Sequence, residues 1–233
     1  MISFKWRHFK KDIILILVRW YLVYPLSYRD IEELATERGL KIDPSTINRL
    51  VIEYAPQLEE AFRKRYKRSV GSSWRMDETY IKVKGQWVYL YRAVDKEGKT
   101  VDFMLSEKRH EPAARAFFEK AISSNGFPEK VTMDKSGSNK AGIDTLNLQL
   151  ALLFMLGGVF MQMTVRQIKY LNNIVEQDHQ FVKKITKPMK GFKAFHSDES
   201  TLSGIELHHM LRKCQHSQSA NETIFEQFYE LAA

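Results

Sequence analysis

Hydrophobic positions recur with two different periods along this chain. In the first third the spacing is helical. Ile13, Leu17 and Trp20 or Tyr21 share one face of a helix predicted over Asp12–Tyr24, ended by Pro25 because proline disfavours helical dihedrals at the residue before it. A second helix is predicted from the cap Ser27 through Tyr28, Ile31 and Leu34 to Arg38, with Gly39 as its stop. A third starts at the N-cap Asp43, carries Pro44 at its first position, and stops at Tyr54 ahead of Pro56. Two short helices joined by a glycine-bearing turn have the pattern of a helix-turn-helix, although a small dimerising bundle fits the same spacing.

From Trp74 the period changes to two. Trp74–Val83, with Asp77, Thr79, Ile81 and Val83 on one face, Trp87–Val94 and Thr100–Leu105 read as three strands divided by turns at Gly85 and at Asp95-Lys96-Glu97-Gly98. A helix over Pro112–Ser123 and a strand over Lys130–Met133, ending in Asp134, come next. Thr145–Val165 then holds 21 residues without a charge, close to the ~20 that cross a bilayer. Asn147, Gln149, Gln162 and Thr164 interrupt it and Gly157-Gly158 divides it. A buried helix over Ile143–Leu156, a glycine turn and a strand over Val159–Val165 account for it without a membrane span. Helical spacing returns from Asn173 through His179, Val182 and Ile185, and again over Ser203–Tyr229, a candidate self-association surface. The order of elements describes an α/β fold, a ribonuclease H-like mixed sheet flanked by helices and preceded by an all-α helix-turn-helix domain. The expected divisions are a helix-turn-helix DNA-binding domain over 1–62, a basic linker over 63–73, a ribonuclease H-like catalytic domain over 74–200 and a C-terminal helical segment over 201–233.

Charge sharpens this picture. The 233 residues carry 36 lysines and arginines against 28 acids, a net +8, which favours a polyanionic partner. Residues 1–70 hold net +5 and residues 166–213 net +4, whereas the last twenty hold net −3. Arg63-Lys64-Arg65-Tyr66-Lys67-Arg68 packs five cations into six residues; it reads equally as a linker lying along a phosphate backbone and as a solvated helix end. At the start of the third helix Ser45, Thr46, Asn48 and Arg49 are suited to phosphates and base edges. A single cysteine, Cys214, excludes a disulfide framework and any cysteine-based zinc finger. His208, His209, Cys214 and His216 offer a zinc set, against which stands plain polarity at a helix end. The apolar run Ile13–Val18 is too short for a signal peptide, so a cytoplasmic location is expected.

Candidate chemistry rests on carboxylates. Asp77 on the first strand and Asp134 at the end of the fourth become neighbours at the centre of such a sheet. Glu176 is a third, with two readings. Asn173 followed three residues later by Glu176 has the form of a capping box; three carboxylates at matching stations of one sheet instead suit Mg²⁺ or Mn²⁺. Lys183 and Lys187 follow Glu176 on its helical face, where they would meet phosphates. His179 reads as a packing or DNA-contacting residue.

Short motifs spread over nearly the whole chain point one way. They are Phe4-Lys5, Arg7-His8-Phe9, Ser27-Tyr28-Arg29, Ser45-Thr46-Ile47, Met76-Asp77-Glu78-Thr79-Tyr80 and Tyr89 to Asp95. Thr132, Asp134-Lys135, Arg166 to Tyr170, Asn172-Asn173, Glu176, Asp178-His179 and Gly191-Phe192-Lys193 complete the set. In this order they resemble the DDE transposases of short bacterial insertion sequences, in the family numbered six, whose members make replicative cointegrates. The resemblance implies Asp77, Asp134 and Glu176 as a catalytic triad holding two Mg²⁺ or Mn²⁺ ions, with Asp77 bridging them and Lys183 as the basic companion of the glutamate. It implies binding of terminal inverted repeats and target DNA, with Arg166, Lys169 and Lys187 joining the DNA-binding set. It further implies a homo-oligomer and a nucleoid-associated setting. Two departures stand out: 41 residues separate Asp134 from Glu176, about two helical turns more than is usual in that family, and Lys135-Ser136-Gly137 replaces the more common alanine-proline pair. A nuclease of the same fold and a catalytically decayed DNA-binding repressor are the alternatives.

Overall fold

The computed structural model describes residues 2–5, 7–135, 137–187, 194–218 and 221–233, and of Lys169 the backbone only. Its elements in chain order are α1 (Lys11–Val23), α2 (Tyr28–Thr36), α3 (Pro44–Arg65), β1 (Ser73–Val83), β2 (Gln86–Asp95), β3 (Thr100–Ser106) and α4 (Glu111–Asn125). They continue with β4 (Lys130–Thr132), α5 (Gly137–Met155), β5 (Thr164–Arg166), a 3₁₀ turn (Lys169–Asn172), α6 (Asn173–Thr186), α7 (Phe195–Arg212) and α8 (Ile224–Glu230). By their internal contacts the residues divide into a helical unit, Met1–Arg68 with Lys82–Gly85 and Phe181–Ala233, and a sheet unit, Ser69–Ile81 with Gln86–Gln180.

In the helical unit the caps form where the sequence places them. Ser27 Oγ accepts from the Asp30 amide at 3.2 Å while Asp30 Oδ2 accepts from the Ser27 amide at 2.7 Å, a reciprocal box. Asp43 accepts from the amides of Ser45 and Thr46, both at 3.0 Å. These bonds hold the Asp43 carboxyl well below the usual carboxylate range, the Ser45 hydroxyl contributing most.

Three expectations change. The third helix does not stop before Pro56; it runs through it to Arg65. Proline removes one backbone bond, but Tyr54, Ala55, Leu58 and Phe62 are fully buried on one face, and that burial outweighs the local loss. The basic run is therefore the last turn of α3 and the residues after it, not an extended linker from residue 63. Arg63 pairs with Glu59 and Lys64 with Glu60 one turn back, Arg65 Nη1 reaches the Ala233 carbonyl at 3.4 Å, and Arg68 Nε donates to the His216 carbonyl at 2.9 Å. Cations suit a helix C-terminus. Finally, the α7 part of Ser203–Tyr229 is not a free surface: α7 packs on α3, α1 and α8 and buries Leu202 to Leu211 except Ser203. A Cβ at Gly204 would meet the Leu22 methyls at 2.4 and 2.6 Å and the Ala55 Cβ at 2.9 Å, so only glycine lets α7 cross there undisturbed.

The histidines of the zinc reading are packing groups. His209 stacks on Phe181 with ring centroids 4.1 Å apart, and His216 on Tyr66 at 4.5 Å. Burial pushes the His208 imidazole down to about 3. Among the described residues, these side chains and Cys214 do not bring three ligand atoms together.

The sheet unit has strand order β3-β2-β1-β4-β5. β2 and β3 pair antiparallel; β1 with β4, and β4 with β5, pair parallel. This is the mixed sheet that the strand and helix order predicts. Trp74, Met76, Tyr91, Val131 and Met133 pack with Ala114, Phe117 and Ala121 of α4 and Ile143 of α5 into one core. A Cβ at Gly142 would lie 3.0 Å from both Ala114 Cβ and the Arg115 nitrogen, so glycine sets the close approach of α5 to α4.

The expected burial of the uncharged stretch holds only for its beginning. Asn139, Gly142, Ile143 and Leu146 are buried, but Leu152, Leu153, Met155, Leu156, Val159 and Phe160 are more than half exposed. The Asn147 side chain bonds both the nitrogen and the oxygen of Met163, at 2.9 and 3.0 Å. That clip returns the chain to the sheet at β5, so the predicted strand over Val159–Val165 shrinks to Thr164–Arg166. Among the described residues no helix is long and apolar enough to cross a membrane.

Candidate active site

Parallel pairing of β1 with β4 positions the first two acids. The pairs run Ser73↔Lys130, Trp74↔Val131 and Arg75↔Thr132; two residues further on, Asp77 and Asp134 stand at the same level. One carboxylate oxygen from each of Asp77, Glu78 and Asp134 lies within 4.8 Å of the others. Glu78 is the member that sequence reading missed, although an acid directly following Asp77 inside a strand was its visible signal.

Adjacent strand residues face opposite sides of a sheet, and the two acids are held from opposite sides. Glu78 lies on the side of α4 and α5, its side chain only 4 % exposed, and Arg109 Nε donates to its Oε1 at 2.9 Å. Its Oε2 is buried beside the side-chain amide of Asn139 at the start of α5. Burial raises the Glu78 carboxyl above its usual range, with Asn139 and Arg109 opposing and the Asp77 charge adding to the rise.

Asp77 is held from the side of α6. His179 Nε2 lies 3.2 Å from Asp77 Oδ2, and Arg92 Nη1 lies 3.5 Å from His179 Nδ1. A guanidinium cannot accept, so Nδ1 is the acceptor and Nε2 carries the proton donated to Asp77. Arg92, fully buried, also donates to Asp178 Oδ2 at 2.8 Å. Two side-chain-to-backbone bonds fix the approach to α6: Asn172 Nδ2 to the Met76 carbonyl at 3.1 Å and Arg75 Nε to the Leu171 carbonyl at 2.9 Å. Arg92 was legible as a lone cation between Tyr91 and Ala93 in an apolar strand.

Glu176 is not brought into the acidic group. It is exposed on the first turn of α6, one turn ahead of His179 on the same helical face. Nor is it a cap, since Asn173 has helical dihedrals, φ −54° and ψ −30°, where an N-cap would be extended. Lys183 is in the last turn of α6 and Lys187 just past its end. Arg166 is exposed at the end of β5, opposite Thr132. The Lys169 side chain and Gly191-Phe192-Lys193 lie outside the described residues.

In the helical unit the four side chains expected to read DNA differ in freedom. Ser45 and Thr46 turn their hydroxyls to Asp43. Asn48 Oδ1 accepts from the Tyr28 hydroxyl at 2.8 Å. Arg49 is exposed, with its guanidinium 3.4 Å from both hydroxyls.

The arrangement is one of oxygen donors gathered at a sheet centre, a set that suits hard divalent cations. Comparison with known proteins gives the family. Residues 71–215 match a DDE domain family of IS240-type transposases. The chain is 39% identical over 211 residues to the transposase for insertion sequence-like element IS431mec of Staphylococcus aureus, covering 90% of this chain and 88% of the relative. The same figures hold for the transposase for insertion sequence element IS257 in transposon Tn4003 of Staphylococcus aureus. Among solved structures, the HTLV-2 integrase catalytic core in complex with magnesium aligns with TM-score 0.42 and 16% identity, over 68% of this chain and 98% of that one. The Drosophila P element transposase strand transfer complex aligns with TM-score 0.37 and 11% identity, over 97% and 65%. From the family match and the relatives' identity, the chain belongs to the DDE transposases of bacterial insertion sequences, family six, and is a polynucleotidyl transferase.

Proposed function

We propose that this transposase binds the terminal inverted repeats of its element and carries out cleavage and strand transfer at a site built on Asp77, Asp134 and Glu176. The observation that carries this reading is the approach of Asp77 and Asp134 just past the paired stretch of the central parallel strands, their oxygens within 4.8 Å of each other. Two Mg²⁺ or Mn²⁺ ions held there supply positive charge at phosphorus and acidity to the attacking water or 3′-hydroxyl. The protein's own contribution is placement. His179 fixes the rotamer of Asp77 by donating to Oδ2, Glu176 offers an exposed carboxylate one turn away, and Lys183 follows on α6 as the cation for a phosphate. Arg49, Arg166 and Lys187 supply phosphate contacts. Ser45, Thr46 and Asn48 at the α3 start, the cations Arg63, Lys64, Arg65, Lys67 and Arg68, and Lys169 make up the rest of the DNA-binding set.

An oligonucleotide element end with a pre-exposed 3′-hydroxyl, incubated with target DNA and Mg²⁺, should give joined product. A nuclease of the same fold would cleave without joining, and a decayed repressor would bind and do neither.

Paired ends call for at least two copies. α7 is buried within its own unit, so the proposed meeting surface is the exposed apolar end of α5 with Val159 and Phe160. Two chains of net +8 repel each other, and Thr145–Val165, which carries no charge, is where a second copy can approach without that cost. Leu152→Lys combined with Leu156→Lys should convert the dimer to monomer on sizing; an unchanged elution would exclude this surface.

A further inference from the structure

Strand alternation puts Met76, Glu78 and Tyr80 of β1 on one face of the sheet, and Trp87, Tyr89 and Tyr91 of β2 on one face. Met76 and Tyr91 lie in the core with α4, so both sets face that side. Along it burial falls away. Tyr91 is fully buried, Tyr89 is half-buried against the core, and Tyr80 and Trp87 are 50 % and 62 % exposed. The outer rings still stand together, Tyr80 5.2 Å from Tyr89 and 6.4 Å from Trp87, the second pair edge to face. A cross-strand pair accounts for their contact. It does not account for two large rings held in place and left in water.

Two features point to the occupant. The patch is continuous with the acidic site: Tyr80 is three residues past Asp77 on β1, about 10 Å along the strand or about three base steps of DNA. Arg109 lies beside both. Burial works against its charge, but Glu78, Tyr80 and Asp134 outweigh that and hold it above its ordinary range. Aromatic rings next to a guanidinium suit DNA bases turned out of their stack. Stacking also accepts any base, because every base has a π-face. With the element end anchored through its sequence by the helical unit, a grip indifferent to sequence serves the target.

We infer that Tyr80 and Trp87 form a stacking platform for bases of the target DNA, a few steps from the phosphodiester that is attacked. This rests on the reading of Asp77 and Asp134 as the joining site.

The test is joining of a pre-cut element end by the full chain in Mg²⁺, with the concentration of target duplex varied. Tyr80→Leu combined with Trp87→Leu keeps apolar bulk on the hairpin and removes the π-faces. It should raise KM for the target roughly tenfold or more, as loss of base stacking does. Trp87→Leu alone should give a smaller rise and covers the case in which the double variant does not fold. Tyr80→Phe combined with Trp87→Phe, which keeps flat rings, should stay within about threefold of wild type. The salt slope of target capture should be the same in all, since no phosphate contact is lost. An unmoved target KM in the leucine variants, or an equal rise in the phenylalanine variant, overturns the inference and leaves the joining site standing. A changed elution on sizing with KM unmoved makes the patch a protein interface and overturns it too. No joining by the wild type removes the joining site and the platform together.

Discussion

Asp77→Asn should reduce strand joining by roughly 10⁴-fold or more, as removal of a member of a catalytic set does, while leaving element-end binding unchanged in a gel-shift measurement. Asparagine has the shape of aspartate and keeps an oxygen that can accept from His179 Nε2, so the 3.2 Å bond survives and the loss reports the missing charge. The helical unit, with α2 and α3, is untouched by the change. Joining by Asp77→Asn within tenfold of wild type, in Mg²⁺ and in Mn²⁺ alike, is incompatible with a site centred on this residue.

The second large effect is on stability. Arg92→Met should lower the unfolding free energy by about 3–5 kcal/mol, because removing one partner of a buried ion pair leaves the other charge uncompensated. Arg92 is fully buried and Asp178 only 10 % exposed. For a chain of this size the expected fall in Tm is about 2–4 °C per kcal/mol. Combining Arg92→Met with Asp178→Leu should recover most of that loss, since a buried pair exchanged for apolar groups is often neutral. The double variant should still join strands poorly, because His179 Nδ1 has lost its donor and the ring that orients Asp77 is held less tightly. Calorimetry and the joining assay together separate the two. A single Arg92→Met variant within 1 kcal/mol of wild type (an effect smaller than a typical core substitution) would mean the pair is not a buried keystone.

Much of this was open to sequence reading because local rules and the fold agree. Ser27 and Asp43 cap where they stand, β1 to β3 form where the strand-like runs and their turns place them, and the strand–helix–strand order dictates that Asp77 and Asp134 meet. What failed did so through packing that no local pattern encodes. Pro56 is carried inside α3 by the burial of Tyr54 and Leu58 around it. The uncharged run looked buried because apolar composition does not say which side of a helix will find a neighbour. Glu78 escaped notice since strand alternation turns it away from Asp77, and only Arg109, thirty-one positions later, draws its carboxylate back to the same place. His179 was read as a packing or DNA-contacting residue, because its bond to Asp77 spans 102 positions.

The helical unit closes around α7, which contributes its buried neighbours only from residue 195 onward. The sheet unit, by contrast, is finished at Gln180. A ribosome thus releases everything the sheet needs while α1 to α3, made first, still lack the helix that covers them. Completion of the amino-terminal helices must wait for α7, and a chain that ends before it would carry its acids without a finished helical unit.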